Sequence, residues 1–201
     1  MIRLVLATHN IHKARELKTL IGGLDVDVLT LDDLSTEMVL REDGDTFEAN
    51  ALQKARTVHH QTKLISLADD SGLEVFYLNG RPGVFSARYA GTETTDALNN
   101  EKLLDEMRGV APRRRRAQFR SILALVGDGM EEVTEGICPG MLGEFPRGTN
   151  GFGYDPIFIP DGFVKTYAEL TAEEKNLISH RARSFAAMKD VLKAKLVTAD
   201  N

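Results

Sequence analysis

The sequence predicts an α/β fold in which a mixed, twisted sheet is flanked by helices, and three observations carry that prediction. Residues 2–7, Ile2-Arg3-Leu4-Val5-Leu6-Ala7, are almost continuously apolar and lead at once into a segment of helical period, as a buried strand feeding a helix does. A short apolar stretch at 64–68 again follows a strongly helical segment. Gly127-Asp128-Gly129 separates two strand-like stretches, 119–126 and 132–137, as an antiparallel hairpin would. Strand–helix units combined with a hairpin make the sheet mixed. No internal repeat or low-complexity linker divides the chain, so residues 1–201 are read as a single domain.

Each element has its own signal. Asn10 is placed as a helix N-cap, and Ile11, Ala14, Leu17 and Leu20 or Ile21 recur at helical spacing until Gly22-Gly23 ends the element. Leu24, Val26 and Val28 then alternate with polar neighbours, as a second strand would. The next helix opens at Asp45, with Glu48 three residues on as a variant capping box and Phe47, Ala51, Ala55 and Val58 on one face. The strand at 64–68 is expected to break at Asp69-Asp70-Ser71-Gly72 and to resume over 73–78 until the Asn79-Gly80 turn. Helices are expected over about 96–107 and about 179–196, the latter burying Ala182, Phe185, Ala186 and Leu192.

Composition narrows the function classes. Hydrophobic residues make up 42% and charged residues 27%, ordinary for a soluble globular protein. No apolar run approaches the roughly 20 residues that span a bilayer, and the opening segment turns polar too soon for a signal peptide, so a cytoplasmic protein without a membrane partner is expected. The lone Cys138 excludes a disulfide within the chain and argues against a thiolate zinc site; a small buried hydrophobe is its expected role. A net charge of −5 argues against a stable nucleic-acid complex. The basic run Arg113–Arg116 is read as a solvated entry to a strand.

Four segments carry chemistry. Thr8-His9-Asn10-Ile11-His12-Lys13 lies between the first strand and first helix, where backbone N–H groups and the helix dipole attract anions and Lys13 adds charge. It has neither the Walker nor the dinucleotide glycine spacing, and by itself is compatible with an ordinary capped helix start. Asp69-Asp70-Ser71-Gly72 puts adjacent carboxylates on opposite faces of a strand end, one able to hold a hard cation such as magnesium while the other caps the turn. A surface turn explains that tetrad equally well, and Glu42 is a candidate second ligand. Gly151-Phe152-Gly153-Tyr154-Asp155 sets an aromatic between glycines, suited to stacking a flat base or to core packing in a turn. Lys175, with Ser179-His180-Arg181, supplies donors or a solvated surface.

Taken together, these segments resemble the inosine triphosphate pyrophosphatase family, also described as dITP/XTP or non-standard purine nucleotide pyrophosphatases. The similar features run in order over nearly the whole chain: THNIHK at 8–13, EDGDTFEANALQKA at 42–55, ADDSGLEV at 68–75, PGVFSARYAG at 82–91, FGYDPIF at 152–158, Lys175, and SHRA at 179–182. The resemblance implies two lobes around a central substrate cleft, a magnesium requirement, a homodimer, and release of pyrophosphate from inosine, deoxyinosine or xanthosine triphosphate. Carried over by position, it implies a phosphate-gripping turn at Thr8, His9, Asn10, Ile11, His12 and Lys13. Metal carboxylates then fall on Glu42 and Asp70, the general base on Asp70, and a substrate contact on Ser71. Base recognition falls on Phe152, Gly153, Tyr154, Asp155, Lys175, His180 and Arg181, with Asn50 and Lys54 in support. His12 stands where family members commonly have glycine. Two rival readings are a non-catalytic nucleotide sensor or nucleic-acid module using the arginine run and Phe152, and a pyrophosphatase for modified pyrimidine nucleotides.

Overall fold

The computed structural model describes residues 2–34 and 37–198. In chain order it contains β1 (Ile2–Leu6), α1 (Ile11–Ile21), β2 (Val26–Leu29), α2 (Phe47–Thr62), β3 (Ile65–Val75), α3 (Asp96–Glu106), β4 (Arg116–Gly127), β5 (Met130–Leu142), β6 (Phe158–Pro160), α4 (Ala172–Ile178) and α5 (His180–Thr198). The strands form one six-stranded sheet in the order β2-β1-β3-β4-β5-β6. β1 pairs in parallel with β2 and β3, while β5 and β6 are antiparallel, so the sheet is mixed as the sequence predicts. Leu4, Val5 and Leu6 are at most 1% exposed, which accounts for the unbroken apolar run of β1.

Local chemistry sets most boundaries. Asn10 Oδ1 accepts from the His12 and Lys13 amides at 3.0 and 3.1 Å, capping α1, and Gly23 beyond its end sits at φ +95°. The cap of α2 is Thr46 rather than Asp45: its Oγ1 accepts from the Ala49 amide at 3.1 Å. Glu48 thereby falls at the second helical position, one short of the place from which a capping-box side chain reaches back. β3 runs unbroken through Asp69-Asp70-Ser71-Gly72, contrary to the expected turn, because both carboxylates are satisfied by side chains inside the protein and need no exposed turn. The turn itself comes at Asn79-Gly80, both at positive φ, after a short 3₁₀ segment (Phe76–Leu78) in place of further strand.

The hairpin of β4 and β5 turns on Asp128-Gly129, with Gly129 at φ +65°, and its strands are longer than the sequence suggests. Neither β6, only Phe158–Pro160, nor α4 was expected; α4 carries a capping box of Thr171 and Glu174 that the sequence does spell out.

Arg113–Arg116 is not uniformly solvated. Arg115 is buried, its guanidinium donating to the carbonyls of Leu142, Met107 and Gly143 at 3.0, 2.8 and 2.6 Å. Arg116 pairs with Asp161 at 2.5 and 2.7 Å, and Arg114 lies over the Tyr77 ring at 4.5 Å. An arginine that leaves solvent this way satisfies carbonyls at the end of a strand, a use that a run of like charges conceals. Cys138 is buried, as expected.

The chain divides into two compact units, residues 1–70, 121–136 and 181–201 in one and 71–120 and 137–180 in the other. The first is built on a core including Leu4, Leu6, Leu17, Leu67, Leu123 and Phe185. The core of the second includes Leu73, Leu103, Phe119, Tyr154, Phe158 and Tyr167. No helix among the described residues is long and apolar enough to cross a membrane.

Candidate active site

In the first unit, β1 delivers the chain to Thr8-His9-Asn10 and α1 carries it away, so the start of α1 faces outward with His9, Asn10, Ile11 and His12 exposed. Thr8 Oγ1 accepts from the Asn10 amide at 3.1 Å, and His9 Nε2 lies 2.8 Å from the Met38 carbonyl, tying the turn to the neighbouring loop. One turn into the helix, Lys13 reaches back to place Nζ 2.9 Å from Asp69 Oδ2.

The alternation of β3 sends Asp69 and Asp70 to different partners. Asp69, fully buried, faces Lys13, the Arg181 guanidinium at 3.2 Å and the Ser121 hydroxyl at 2.7 Å. Arg181, itself 1% exposed, also donates to Glu16, and Ser121 Oγ lies 3.0 Å from Ser184 Oγ. Burial alone would raise the Asp69 pKa; Arg181 and Lys13 outweigh it and hold the carboxyl well below its usual range, while Asp69 and Glu16 raise Arg181. Asp69 is therefore a buried anionic hub, and there is no turn for it to cap.

Asp70 has a different setting. Its carboxylate accepts from Lys54 Nζ at 2.8 Å and from Asn50 Nδ2 at 3.2 Å, both on α2. Lys54 also donates to Glu42 at 2.6 Å and to the Asp69 carbonyl at 2.9 Å. Asn50 Oδ1 accepts from the Gly44 amide at 2.8 Å, and a Cβ on Gly44 would come within 2.8 Å of that same oxygen, so glycine is what lets the 42–44 segment close on α2. Burial pushes the Asp70 pKa up, with Lys54 and Lys13 opposing it, and Lys54 is raised by Asp70 and Glu42 despite its burial.

Glu42 and Asp70 thus converge on one cationic centre, the Lys54 ammonium. Two carboxylates are a fitting donor set for magnesium, which seldom asks for more from the protein and takes its remaining ligands from water and phosphate oxygens. Among the described residues no group of three or more His, Cys, Asp or Glu side chains assembles a denser metal cage.

In the second unit the glycine-rich loop is organised by Asp155. Its Oδ2 accepts from the Phe152 amide at 2.9 Å and from Lys175 Nζ at 2.6 Å. A Cβ on Gly151 would stand 2.0 Å from that oxygen, so only glycine fits there. Lys175 Nζ lies 4.9 Å from the Phe152 ring centroid and 5.5 Å from that of Tyr167. Tyr154 is a core residue, 3% exposed, donating its hydroxyl to the Ser86 carbonyl at 2.8 Å. His180 is buried and stacked on Phe119, centroids 4.6 Å apart and planes 10° from parallel. Ser71, half-buried, is the first residue of this unit and follows Asp70 directly along β3.

The structure therefore brings Lys13, Glu42, Asn50, Lys54, Asp70 and Arg181 together in the first unit, and Phe152, Asp155 and Lys175 in the second. Arg181, grouped by the resemblance with the base readers, is engaged by Asp69 and Glu16. Sequence reasoning missed Glu16 and Ser121 as members of the charged network. Glu16, three residues after Lys13 on one helix face, was legible in principle; Ser121, inside a strand, carried no signal.

The comparisons with known proteins agree with one another. Residues 4–191 match the Ham1 family model. A dITP/XTP pyrophosphatase of Bacillus licheniformis is 47% identical over 193 residues, covering 96% of this chain and 98% of that protein. One from Thermoanaerobacter sp. (strain X514) is 44% identical over 195 residues, covering 97% and 98%. The solved Ham1 protein of Coxiella burnetii superposes with a TM-score of 0.87 at 40% identity, covering 96% of this chain and 100% of that one. The Staphylococcus aureus Ham1 protein gives 0.86 at 38% identity, covering 96% and 99%. With a family match over nearly its full length, relatives well above 40% identical and the same fold in solved members, the chain belongs to the Ham1 family.

Proposed function

We propose that this protein is a magnesium-dependent nucleoside triphosphate pyrophosphatase that converts inosine, deoxyinosine and xanthosine triphosphates to their monophosphates and pyrophosphate, clearing them from the cytoplasmic pool. The observation that carries this reading is the meeting of Glu42 and Asp70 on one cationic centre, in the same unit as a lysine held at a helix start. The names of the relatives, dITP/XTP pyrophosphatase, point to the same substrates.

Asp70 accepts the proton of a water whose oxygen bonds to the α-phosphorus as the bond from that phosphorus to the α–β bridging oxygen breaks, with pyrophosphate leaving. A carboxylate whose pKa is raised by burial is a better proton acceptor near neutrality than an exposed one. Glu42 and Asp70 would hold magnesium, which would supply positive charge against the triphosphate. Lys13 and the start of α1 grip the phosphates, Lys54 keeps the two carboxylates together, and Ser71 contacts substrate.

For the base, the Phe152 ring offers a stacking face, and Lys175 and His180 supply donors suited to a 6-oxo group. Adenine presents an amino donor at that position and leaves such donors facing donors, a mismatch that discriminates strongly. A homodimer accounts for the exposed Phe76, Tyr77 and Phe85, 52, 40 and 55% accessible. The acidic net charge argues against a stable nucleic-acid complex. Hydrolysis in ¹⁸O-labelled water tests the reaction: attack at the α-phosphorus puts the label in inosine monophosphate, and label in pyrophosphate would refute it.

A further inference from the structure

α3 grips the base-stacking loop by its backbone. Asp96, in the first turn of the helix, accepts from the Gly153 amide at 2.6 Å, and Asn100, one turn on, donates Nδ2 to the Gly153 carbonyl at 2.8 Å. The same Nδ2 donates to the Asp96 carbonyl at 2.8 Å, which fixes the Asn100 side chain along the helix. Gly153 sits at φ +61° with nothing within 4 Å of where a Cβ would be, so no neighbour presses on that side of its backbone. A cavity of about 550 Å³ opens at this place, walled by Asp96, Asn100, Leu104 and Gly151–Gly153. Phe152 is the residue before the clamped glycine, and its own amide is held by Asp155.

Resting on the reading of Phe152 as the stacking face, we propose that Asp96 and Asn100 are positioning residues for base recognition: by holding both backbone groups of Gly153 they fix the Phe152 ring where a purine stacks. Asp155 and the buried Tyr154 anchor the loop beyond Phe152, whereas at Gly153, beside the hollow, the two hydrogen bonds to α3 set how the backbone presents the Phe152 ring.

Asp96 is the exposed partner, and Thr95 caps α3 independently of it, so Asp96→Ala leaves the helix start intact. The test measures KM and kcat for inosine triphosphate, inhibition by inorganic tripolyphosphate, which has no base, and thermal stability. The variants are Asp96→Ala, Asp96→Asn, Phe152→Ala and the double variant Asp96→Ala/Phe152→Ala. Loss of one clamp bond should raise KM about three- to tenfold in Asp96→Ala with kcat changed less than about twofold. Tripolyphosphate inhibition and Tm should match wild type. Asp96→Asn, whose amide oxygen still accepts from Gly153, should restore most of the loss. On the Phe152→Ala background Asp96→Ala should add nothing. If Phe152→Ala raises KM and Asp96→Ala does not, the clamp is refuted while the stacking role stands. An unchanged KM in Phe152→Ala refutes the stacking role and the clamp with it. Parallel weakening of tripolyphosphate inhibition, or additive effects in the double variant, would make Asp96 a general structural residue and overturn the inference.

Discussion

Replacing Asp69 by asparagine should destabilise the protein, because it removes the negative charge beneath two cations while preserving shape. Asp69 is fully buried, and its oxygens lie 2.9 Å from Lys13 and 3.2 Å from an Arg181 that is 1% exposed. Removing one partner of such a pair costs about 3–5 kcal/mol. Glu16 stays on Arg181 and Lys13 is partly accessible, so the lower end, about 3 kcal/mol, applies here. Against a total stability of about 5–15 kcal/mol the variant still folds. At about 2–4 °C per kcal/mol for a chain of this size, its Tm should fall by about 6–12 °C at pH 7, read by circular dichroism.

The pH dependence supplies a second check. The native Asp69 pKa is depressed, so the stability that this group provides is complete above the ordinary Asp value of 3.8 and is lost as the pH falls through the lower native value. The gap between wild type and Asp69→Asn should therefore close only in strong acid. A Tm change below about 2 °C at pH 7, or a gap that stays constant down through the acid range, would refute the hub.

One residue further along β3, Asp70→Asn should still fold and lose about 10²- to 10⁴-fold in turnover, as expected for removal of a general base; a folded, active variant would exclude Asp70 from the mechanism. Because the Asp70 pKa is raised, kcat/KM in the wild type should climb with pH through an acid limb lying above the usual Asp value of 3.8, and a flat profile from pH 4 upward would contradict that role. Lys13→Ala should raise KM by the same factor for every triphosphate whatever its base, and a change confined to one base would remove Lys13 from the phosphates. Arg115→Gln should lower stability by about 3 kcal/mol through three lost carbonyl contacts, measured by urea unfolding, whereas Arg113→Gln should leave it unchanged.

The mixed sheet was legible because its signals are local. β1 announces itself by an unbroken apolar run, α1 by Asn10 at one end and Gly22-Gly23 at the other, and the hairpin by Asp128-Gly129. Where the reading failed, the deciding partner lay far along the chain. Asp69-Asp70 looks like a turn until Arg181 and Lys54, 112 and 16 residues away, are seen to neutralise it within a strand. Arg115 looks solvated until the carbonyls of Leu142 and Gly143 arrive from β5 and the residue after it. In the candidate site, Lys13 and the Gly151–Asp155 loop carry their meaning in spacing, whereas the Asp96 and Asn100 hold on Gly153 depends on α3 meeting a loop some fifty residues later.

Pyrophosphate and orthophosphate release from a panel of nucleoside triphosphates, with magnesium and after its removal by chelation, tests the central claim most directly. Inosine, deoxyinosine and xanthosine triphosphates should each yield one pyrophosphate and one monophosphate, adenosine triphosphate should lag by at least about tenfold in kcat/KM, and chelation should abolish all turnover until magnesium is restored. Orthophosphate as the first product, equal rates for inosine and adenosine triphosphates, or undiminished turnover without a divalent cation would contradict the account.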